Sequence, residues 1–322
     1  MISNANNIKE KLLDVKYDRI EQGLKLDVPE FDEWLRFKRG AFNICVGHAN
    51  TGKTTVIIYL MVAYALKHNL RWLIFSSENT DYSIARKIIE FKLAQPIQKI
   101  PDATIESELE WINDHFKIIQ VDKIYNARTL LKLAKEIKDA WDYDGFLIDP
   151  YNSLAKDPQL IRSVGGHEYD YQIASEMRLF CKENNVSVWL NTHAVTDALR
   201  RVHDKDHEFA GHPKPPTMAD VEGGGKWGNR ADDVITVHRY TQHPDRWMIS
   251  DIHVRKVKET ETGGRPTNMD SPISMRMQVG NVAFTVAGQD LIDVKKEEEK
   301  PQLDFNKDVS EHAPTELNPN LF

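Results

Sequence analysis

Apolar residues in this chain fall into short blocks separated by longer amphipathic stretches. Phe42-Asn43-Ile44-Cys45-Val46, Arg71-Trp72-Leu73-Ile74-Phe75, Lys117-Ile118-Ile119-Gln120-Val121, Gly145-Phe146-Leu147-Ile148-Asp149 and Val186-Ser187-Val188-Trp189-Leu190-Asn191 have the length and β-branched or aromatic content of buried strands. Between them, residues 55–66 read as a buried helix, and residues 82–93, 127–141 and 167–184 as further helices. Such alternation predicts an α/β fold, a mostly parallel sheet covered by helices. After Gly225 the pattern changes. Residues 234–238, 248–257, 274–279 and 283–286 read as successive strands with short turns, which predicts an antiparallel extension at one edge of the sheet.

Three segments stand outside this alternation. Residues 1–20 space Ile8, Leu12, Val15 and Ile20 near the helical period, so an amphipathic helix is expected, packed on its own domain or on a neighbouring subunit. Residues 196–224 carry Pro213, Pro215, Pro216 and many charges without apolar periodicity, and read as a long functional loop. Residues 157–166, with Arg162, read as a shorter loop on the same pattern. From Val294 onward the chain is polar and reads as an unfolded acidic tail.

Composition narrows the class. The chain has 322 residues, 41% hydrophobic and 28% charged, which suits one large α/β domain with extensions. No apolar run approaches the ~20 residues that span a bilayer, and the start of the chain lacks the pattern of a signal peptide, so no membrane association is expected. Cys45 and Cys181 lie in apolar elements and read as buried free thiols of a cytoplasmic protein. The net charge is −7, yet residues 293–322 hold eight acidic and four basic residues, so the body carries only −3. A body so nearly neutral leaves room for a basic channel built from a few loops.

The chemistry concentrates in one block. Gly47, His48, Ala49, Asn50, Thr51, Gly52, Lys53 and Thr54, with Thr55 following, form a phosphate-binding loop between an apolar strand and a helix. Backbone N–H groups there converge on a triphosphate at a helix N-terminus. Lys53 would reach the β- and γ-phosphates, and the Thr54 hydroxyl would hold Mg²⁺, so ATP and Mg²⁺ are the expected cofactors. Asp149 closes a buried strand, where a metal-supporting carboxylate belongs, and Glu78 follows another strand at the same carboxyl edge, where a catalytic base would stand. His193 ends a third strand there and could sense the γ-phosphate. Arg200, Arg201, Lys205 and Lys214 in the long loop, with Lys226 and Arg230 beyond it, are candidates for contacting single-stranded DNA. Strand alternation puts Arg255 and Val257 on one face and Lys256 and Lys258 on the other. On spacing alone those lysines read as guards of an edge strand.

Taken together, these blocks resemble the RecA-like motor domain of the DnaB family of ring helicases, nearest to phage and Twinkle-type replicative helicases. The resemblance rests on residues 47–54, 76–79, 146–154 and 188–193. It extends to the block Gly223-Gly224-Gly225-Lys226-Trp227-Gly228-Asn229-Arg230-Ala231-Asp232-Asp233 and the later residues 254–264. It implies an ATP-driven helicase that translocates 5′ to 3′ on single-stranded DNA as a homo-oligomer, a hexamer. It also implies a linker helix over 1–22, a motor over 23–290 and a tail over 291–322. Lys53 and Thr54 would bind ATP–Mg²⁺ with Asp149, Glu78 would orient water, and His193 would couple nucleotide to the DNA loop. Lys256 and Lys258 fall where the family places its trans-acting lysine and arginine finger. The tail would contact a primase, polymerase or single-strand binding protein.

There are two departures. Lys258 stands where the family usually has arginine, so a point charge replaces a planar fork: either it suffices, or Arg255 or Arg265 takes part, or ATPase activity is weak. N-terminal primase or zinc modules are lacking, so primer synthesis would come from a separate protein. Two other readings compete: a RecA-type recombinase filament, and a non-motor ATP switch that loads other replication proteins.

Overall fold

The computed structural model describes residues 5–17 and 19–292. Among them ten strands form one sheet. In chain order they are β1 (Phe42–Gly47), β2 (Trp72–Ser76), β3 (Phe116–Ile119), β4 (Gly145–Asp149), β5 (Ser187–His193), β6 (Asp233–His238), β7 (Ile249–Val257), β8 (Ile273–Met277), β9 (Phe284–Val286) and β10 (Gln289–Asp290). Across the sheet they lie in the order β10-β9-β8-β7-β6-β1-β5-β4-β2-β3. From β6 to β3 every pairing is parallel, and from β6 to β10 every pairing is antiparallel. The predicted class and the edge extension are both present.

The helices are α1 (Ala5–Lys16), α2 (Pro29–Asp32), α3 (Lys53–His68), α4 (Asp81–Leu93), α5 (Asp102–His115), α6 (Ala127–Ala140), α7 (Pro158–Val164), α8 (Gly166–Asn184) and α9 (Lys226–Arg230). Each sheet face has its own core. Val56, Leu60, Trp72, Leu147, Trp189, Ile235 and Val237 pack with α3 and α4 on one side. Phe42, Ile44, Val46, Phe146, Ile148 and Trp227 pack with α6 and α8 on the other. Alternate residues of β1 and β4 thus serve opposite cores, as strand geometry requires. A parallel sheet buried on both faces explains why these strands read as continuous apolar runs.

Four sequence readings need correction or completion. Residues 102–115 form a helix without having shown a helical apolar stripe; of that helix only Glu108 and Ile112 are buried, so its face is narrow. Within 157–166, Pro158–Val164 is a helix and not a loop. The Asp157 carboxylate caps it by accepting from the backbone N–H of Gln159 at 2.9 Å and Leu160 at 3.3 Å, with Pro158 opening the first turn. Residues 196–224 contain two short 3₁₀ turns, Thr196–Arg200 and Met218–Asp220, and fold around histidine and aromatic rings. The Phe209 and Tyr240 rings stack at 4.0 Å, and the His203 and His207 rings do likewise. Packing by such residues has no helical or strand period to detect.

The fourth correction concerns β7. Val234 pairs with Lys256, but Ile235 pairs with Val254, so Arg255 is an extra residue in a β-bulge. The bulge breaks simple alternation. Val254 and Val257 both pack toward the α3 core, whereas Arg255 donates to Thr236 and Pro216 on the other side, where Lys256 also bonds α9. Arg255 and Val257 therefore do not share a face.

At the ends, Ile8, Leu12 and Val15 of α1 are exposed, so their stripe is not packed on its own domain. Leu291 and Ile292 are buried in the α3-side core. The acidic tail lies outside the described residues. Cys45 and Cys181 are buried free thiols, and burial pushes the Cys45 thiol up to about 12. No described helix is long and apolar enough to cross a membrane.

Gly145 at the start of β4 sits under Trp72, and a Cβ there would meet the indole at 2.2 Å. Gly145→Ala is expected to destabilise the fold by about 1–3 kcal/mol, because a well-packed core cannot absorb the extra methyl. Urea denaturation of both proteins checks this; equal midpoints would contradict it.

Candidate functional site

The carboxyl ends of β1, β2, β4 and β5 converge on one pocket, lined by Asn50, Gly52, Lys53, Thr54, Thr55, Glu78, Asn79, Lys87, Asp149, Pro150, His193 and Arg239. Residues 47–52 join β1 to α3 in a turn that leaves no room for a Cβ at Gly47 and holds Asn50 and Gly52 in left-handed backbone. A Cβ on Gly47 would lie 2.5 Å from the Val237 carbonyl, and Gly52 has φ +88°. The tightness of this turn aims the first N–H groups of α3 into the pocket.

Lys53 is buried, and desolvation lowers its pKa. Its ammonium donates to the carbonyls of Gly47 at 3.1 Å and His48 at 2.9 Å, and lies 3.4 Å from His193 Nδ1. A phosphate oxygen would compete with those carbonyls for the same donors. Thr54 Oγ1 donates to Asp149 Oδ2 at 2.8 Å, so hydroxyl and carboxylate already share one point. That hard oxygen pair at the mouth of a phosphate cradle fits a Mg²⁺ ion. Burial raises the Asp149 carboxyl above its ordinary range, against hydrogen bonds from Asn191 (2.8 Å) and Thr54. Glu78 is half-exposed, with Oε1 3.5 Å from His193 Nε2. His193 thus stands between the loop lysine and the candidate base.

His193 also touches both neighbouring loops. Its N–H donates to Asn152 Oδ1 at 3.1 Å, and its carbonyl accepts from the Glu222 N–H at 3.1 Å. Asn152 in turn donates to the Glu222 carboxylate. Asn152 and Asn191 escaped sequence reasoning because their role depends on strands β4 and β5 lying side by side.

Two cations in the pocket were also missed. Lys87 donates to Thr55 Oγ1 at 3.1 Å, and Arg239 donates to the Asn50 carbonyl at 3.3 Å; burial lowers the pKa of both. Lys87 had a legible signal, since it lies on α4 between the buried Ile84 and Ile88, where a cation needs a reason. Arg239 had none until β6 was known to flank β1.

The basic candidates separate into groups. Arg201 and Lys214 are joined, since the Lys214 N–H donates to the Arg201 carbonyl at 2.7 Å, and both line a cleft of about 520 Å³ with His203, His207 and Arg255. Arg200 is exposed beside Asp197, and Lys205 is exposed. Lys226 is half-buried at the start of α9, and Arg230 lies over the Tyr171 ring at 4.1 Å. Lys256 Nζ donates to the Gly228 and Ala231 carbonyls at 2.8 and 2.7 Å, and Lys258 Nζ lies 3.5 Å from Asp232. Both lysines sit at the amino-terminal edge of the parallel strands, because β7 runs antiparallel and Val257 pairs with Asp233, which pairs with Asn43. Their own phosphate loop is about 15 Å away along β1. Arg265 pairs with Glu33.

Exchanging the penalised Asp149 carboxylate for a neutral amide of the same shape should relieve its burial cost. In metal-free buffer the Asp149→Asn variant is expected to melt above wild type, by about 1 kcal/mol in stability, while nucleotide turnover falls at least about a hundredfold. The sign follows from the raised pKa: the folded state prefers the neutral form, so removing the charge stabilises it at neutral pH. Calorimetry beside a phosphate-release assay checks both halves, and a lower melting temperature would contradict the first.

The family model described as "DnaB-like helicase C terminal domain" matches residues 23–271. No curated protein matches the chain in sequence. Among solved structures, the ATPase domain of G40P aligns with TM-score 0.66 at 14% identity, covering 88% of this chain and 99% of that one. A DnaB-like replicative helicase, solved in a study of its interactions with primase, aligns with TM-score 0.65 at 14% identity, covering 88% and 67%. A KaiC-like protein, PH0186 from Pyrococcus horikoshii OT3, aligns with TM-score 0.52 at 15% identity, covering 83% and 99%. At these identities the neighbours establish the RecA-like fold, and the family model establishes membership. This chain belongs to the DnaB-like helicase C-terminal domain family, a P-loop ATPase of the replicative helicase type.

Proposed function

We propose that the protein hydrolyses ATP with Mg²⁺ to translocate on single-stranded DNA as a closed homo-oligomer, a hexamer, and so unwinds duplex in the cytoplasm during replication. The observation that carries the reading is the separation of two half-sites within one subunit. The phosphate loop, Asp149, Glu78 and His193 gather at the carboxyl edge of the sheet, whereas Lys256 and Lys258 lie at the opposite edge. Neither lysine can serve its own loop. A head-to-tail arrangement, in which one subunit's lysine edge meets the next subunit's phosphate loop, completes every site once the rotation between subunits closes it into a ring. The exposed stripe Ile8, Leu12 and Val15 on α1 supplies a docking element for that neighbour.

Within each site Lys53 and the backbone of residues 47–52 hold the phosphates, and Thr54 and Asp149 hold the metal. Mg²⁺ held by Thr54 and Asp149 would supply positive charge that offsets the negative charge developing on the transferring phosphoryl group. Glu78 orients the attacking water and accepts its proton. The neighbour's Lys258 adds positive charge to the transferring phosphoryl group, with less geometric control than an arginine fork would give. The His193 backbone N–H donates to Asn152 and its carbonyl accepts from Glu222, so movement at the nucleotide reaches the β4–α7 connection and the end of the 196–224 loop that carries Arg200, Arg201, Lys205 and Lys214. Those cations contact the phosphates of the strand. The acidic tail docks a primase, polymerase or single-strand binding protein.

The shared site makes a sharp test. Lys53→Ala and Lys258→Ala should each lower DNA-stimulated hydrolysis at least about a hundredfold and abolish unwinding. Mixing the two variants should restore a fraction of both activities, because some interfaces then pair an intact loop with an intact Lys258. Mixtures that stay as inactive as their components, while forming mixed oligomers, would remove the trans role. Turnover in wild type that ignores single-stranded DNA would remove the motor.

A further inference from the structure

We propose that His48 is a positioning residue that ties the phosphate loop to the middle of the 196–224 loop, so that nucleotide binding moves the DNA-facing cations Arg201 and Lys214. The inference rests on the motor reading above and adds a connection separate from His193.

His48 is held at both ends. Its side chain is 4% exposed, and its Nε2 lies 3.4 Å from the Lys214 carbonyl oxygen. Its own carbonyl accepts from Lys53 Nζ and from Thr51 Oγ1, each at 2.9 Å. The ammonium that would turn toward a phosphate is therefore the one that anchors the His48 peptide. Drawing Lys53 onto a phosphate removes one of these two donors from the His48 carbonyl and loosens that peptide, and the ring at its other end bears on Lys214.

The ring has little freedom to respond in any other way. It packs edge-on against His238, with centroids 6.0 Å apart. Burial lowers the pKa of His48, so the imidazole is neutral at pH 7 and carries a single N–H. The partner at Lys214 is a carbonyl, which assigns that proton to Nε2. A contact of 3.4 Å is at the long end for a hydrogen bond, so it can tighten or break at small cost.

The segment that His48 touches is stiff. Pro213, Pro215 and Pro216 fix three φ angles around Lys214. The Pro216 carbonyl accepts from Thr236 Oγ1 at 2.9 Å and Arg255 Nη2 at 3.2 Å, and the Lys214 N–H donates to Arg201 at 2.7 Å. A push on the Lys214 carbonyl thus passes to Arg201 and Lys214 together instead of being absorbed. The His193 route joins the loop elsewhere, at Glu222.

The test is equilibrium binding of a labelled single-stranded oligothymidylate to the full chain, with and without a saturating non-hydrolysable ATP analogue and Mg²⁺. Wild type is expected to change its DNA affinity about tenfold or more on adding the analogue. In His48→Leu, which keeps bulk but loses the N–H, the change should shrink to within about twofold of none. His48→Gln, whose amide can donate to the same carbonyl, should recover most of it. A wild-type response in His48→Leu, or loss in His48→Gln equal to that in His48→Leu, would overturn the inference while leaving the motor intact. A wild type whose DNA affinity ignores the analogue would overturn both. Should His48→Leu fail to fold by circular dichroism, His48→Ala set against His48→Gln decides in the same way.

Discussion

Everything at the carboxyl edge of this sheet turns on the buried ammonium of Lys53. A charge in that position is costly unless it is met by acceptors. Two carbonyls of its own loop meet it, His193 stands at 3.4 Å, and Asp149 and Glu78 supply opposite charge nearby. The same shortage of solvent raises the Asp149 carboxyl, which is restrained by hydrogen bonds from Asn191 and Thr54. The pocket therefore holds groups whose charges are poorly satisfied by the protein alone. A polyanion with a divalent cation would complete them, and binding it would relieve a cost built into the fold.

The sheet gives that pocket its direction. Parallel strands from β6 to β3 bring all their carboxyl ends to one edge, so five separate stretches of sequence deliver side chains to one place. The antiparallel β7 reverses the rule and carries Lys256 and Lys258 to the far edge. Lys256 is held there by the Gly228 and Ala231 carbonyls at the end of α9, and Lys258 rests on Asp232, which also binds Arg178 at 2.9 Å. One subunit thus holds a phosphate site and, on its opposite side, cations with no phosphate in reach. In the proposed head-to-tail assembly these two edges would meet.

Between the edges, the 196–224 loop covers part of β6 and β7, where Thr236 and Arg255 donate to the Pro216 carbonyl. It packs there with rings: His203, His207, Phe209 and Tyr240 cluster together, and the Tyr240 hydroxyl lies 2.9 Å from His203 Nε2. Such packing fixes the loop with little regular hydrogen-bonded structure and leaves Arg200 and Lys205 at the surface. The loop is bound to the nucleotide pocket at Glu222 by His193 and at Lys214 by His48, two attachments on either side of Pro215 and Pro216.

Local patterns in the chain settled the strand–helix alternation, the phosphate loop, and the placing of Asp149, Glu78 and His193 at strand ends. Each is a short-range statement: an apolar run, glycines at fixed spacing, or a polar residue where an apolar run stops. A local pattern also sufficed for the antiparallel edge. It did not suffice for α5, whose buried face is two residues wide, or for α7, whose signal was the Asp157–Pro158 cap and not a period. The bulge at Arg255 was invisible because it is a mismatch between two strands, and Arg239, Asn152 and Asn191 joined the site only through neighbours distant in the chain. Which cations share a surface, and which edge each lysine occupies, follows only from the folded chain. Both depend on the order and sense of strands across the sheet, and no residue spacing encodes that order.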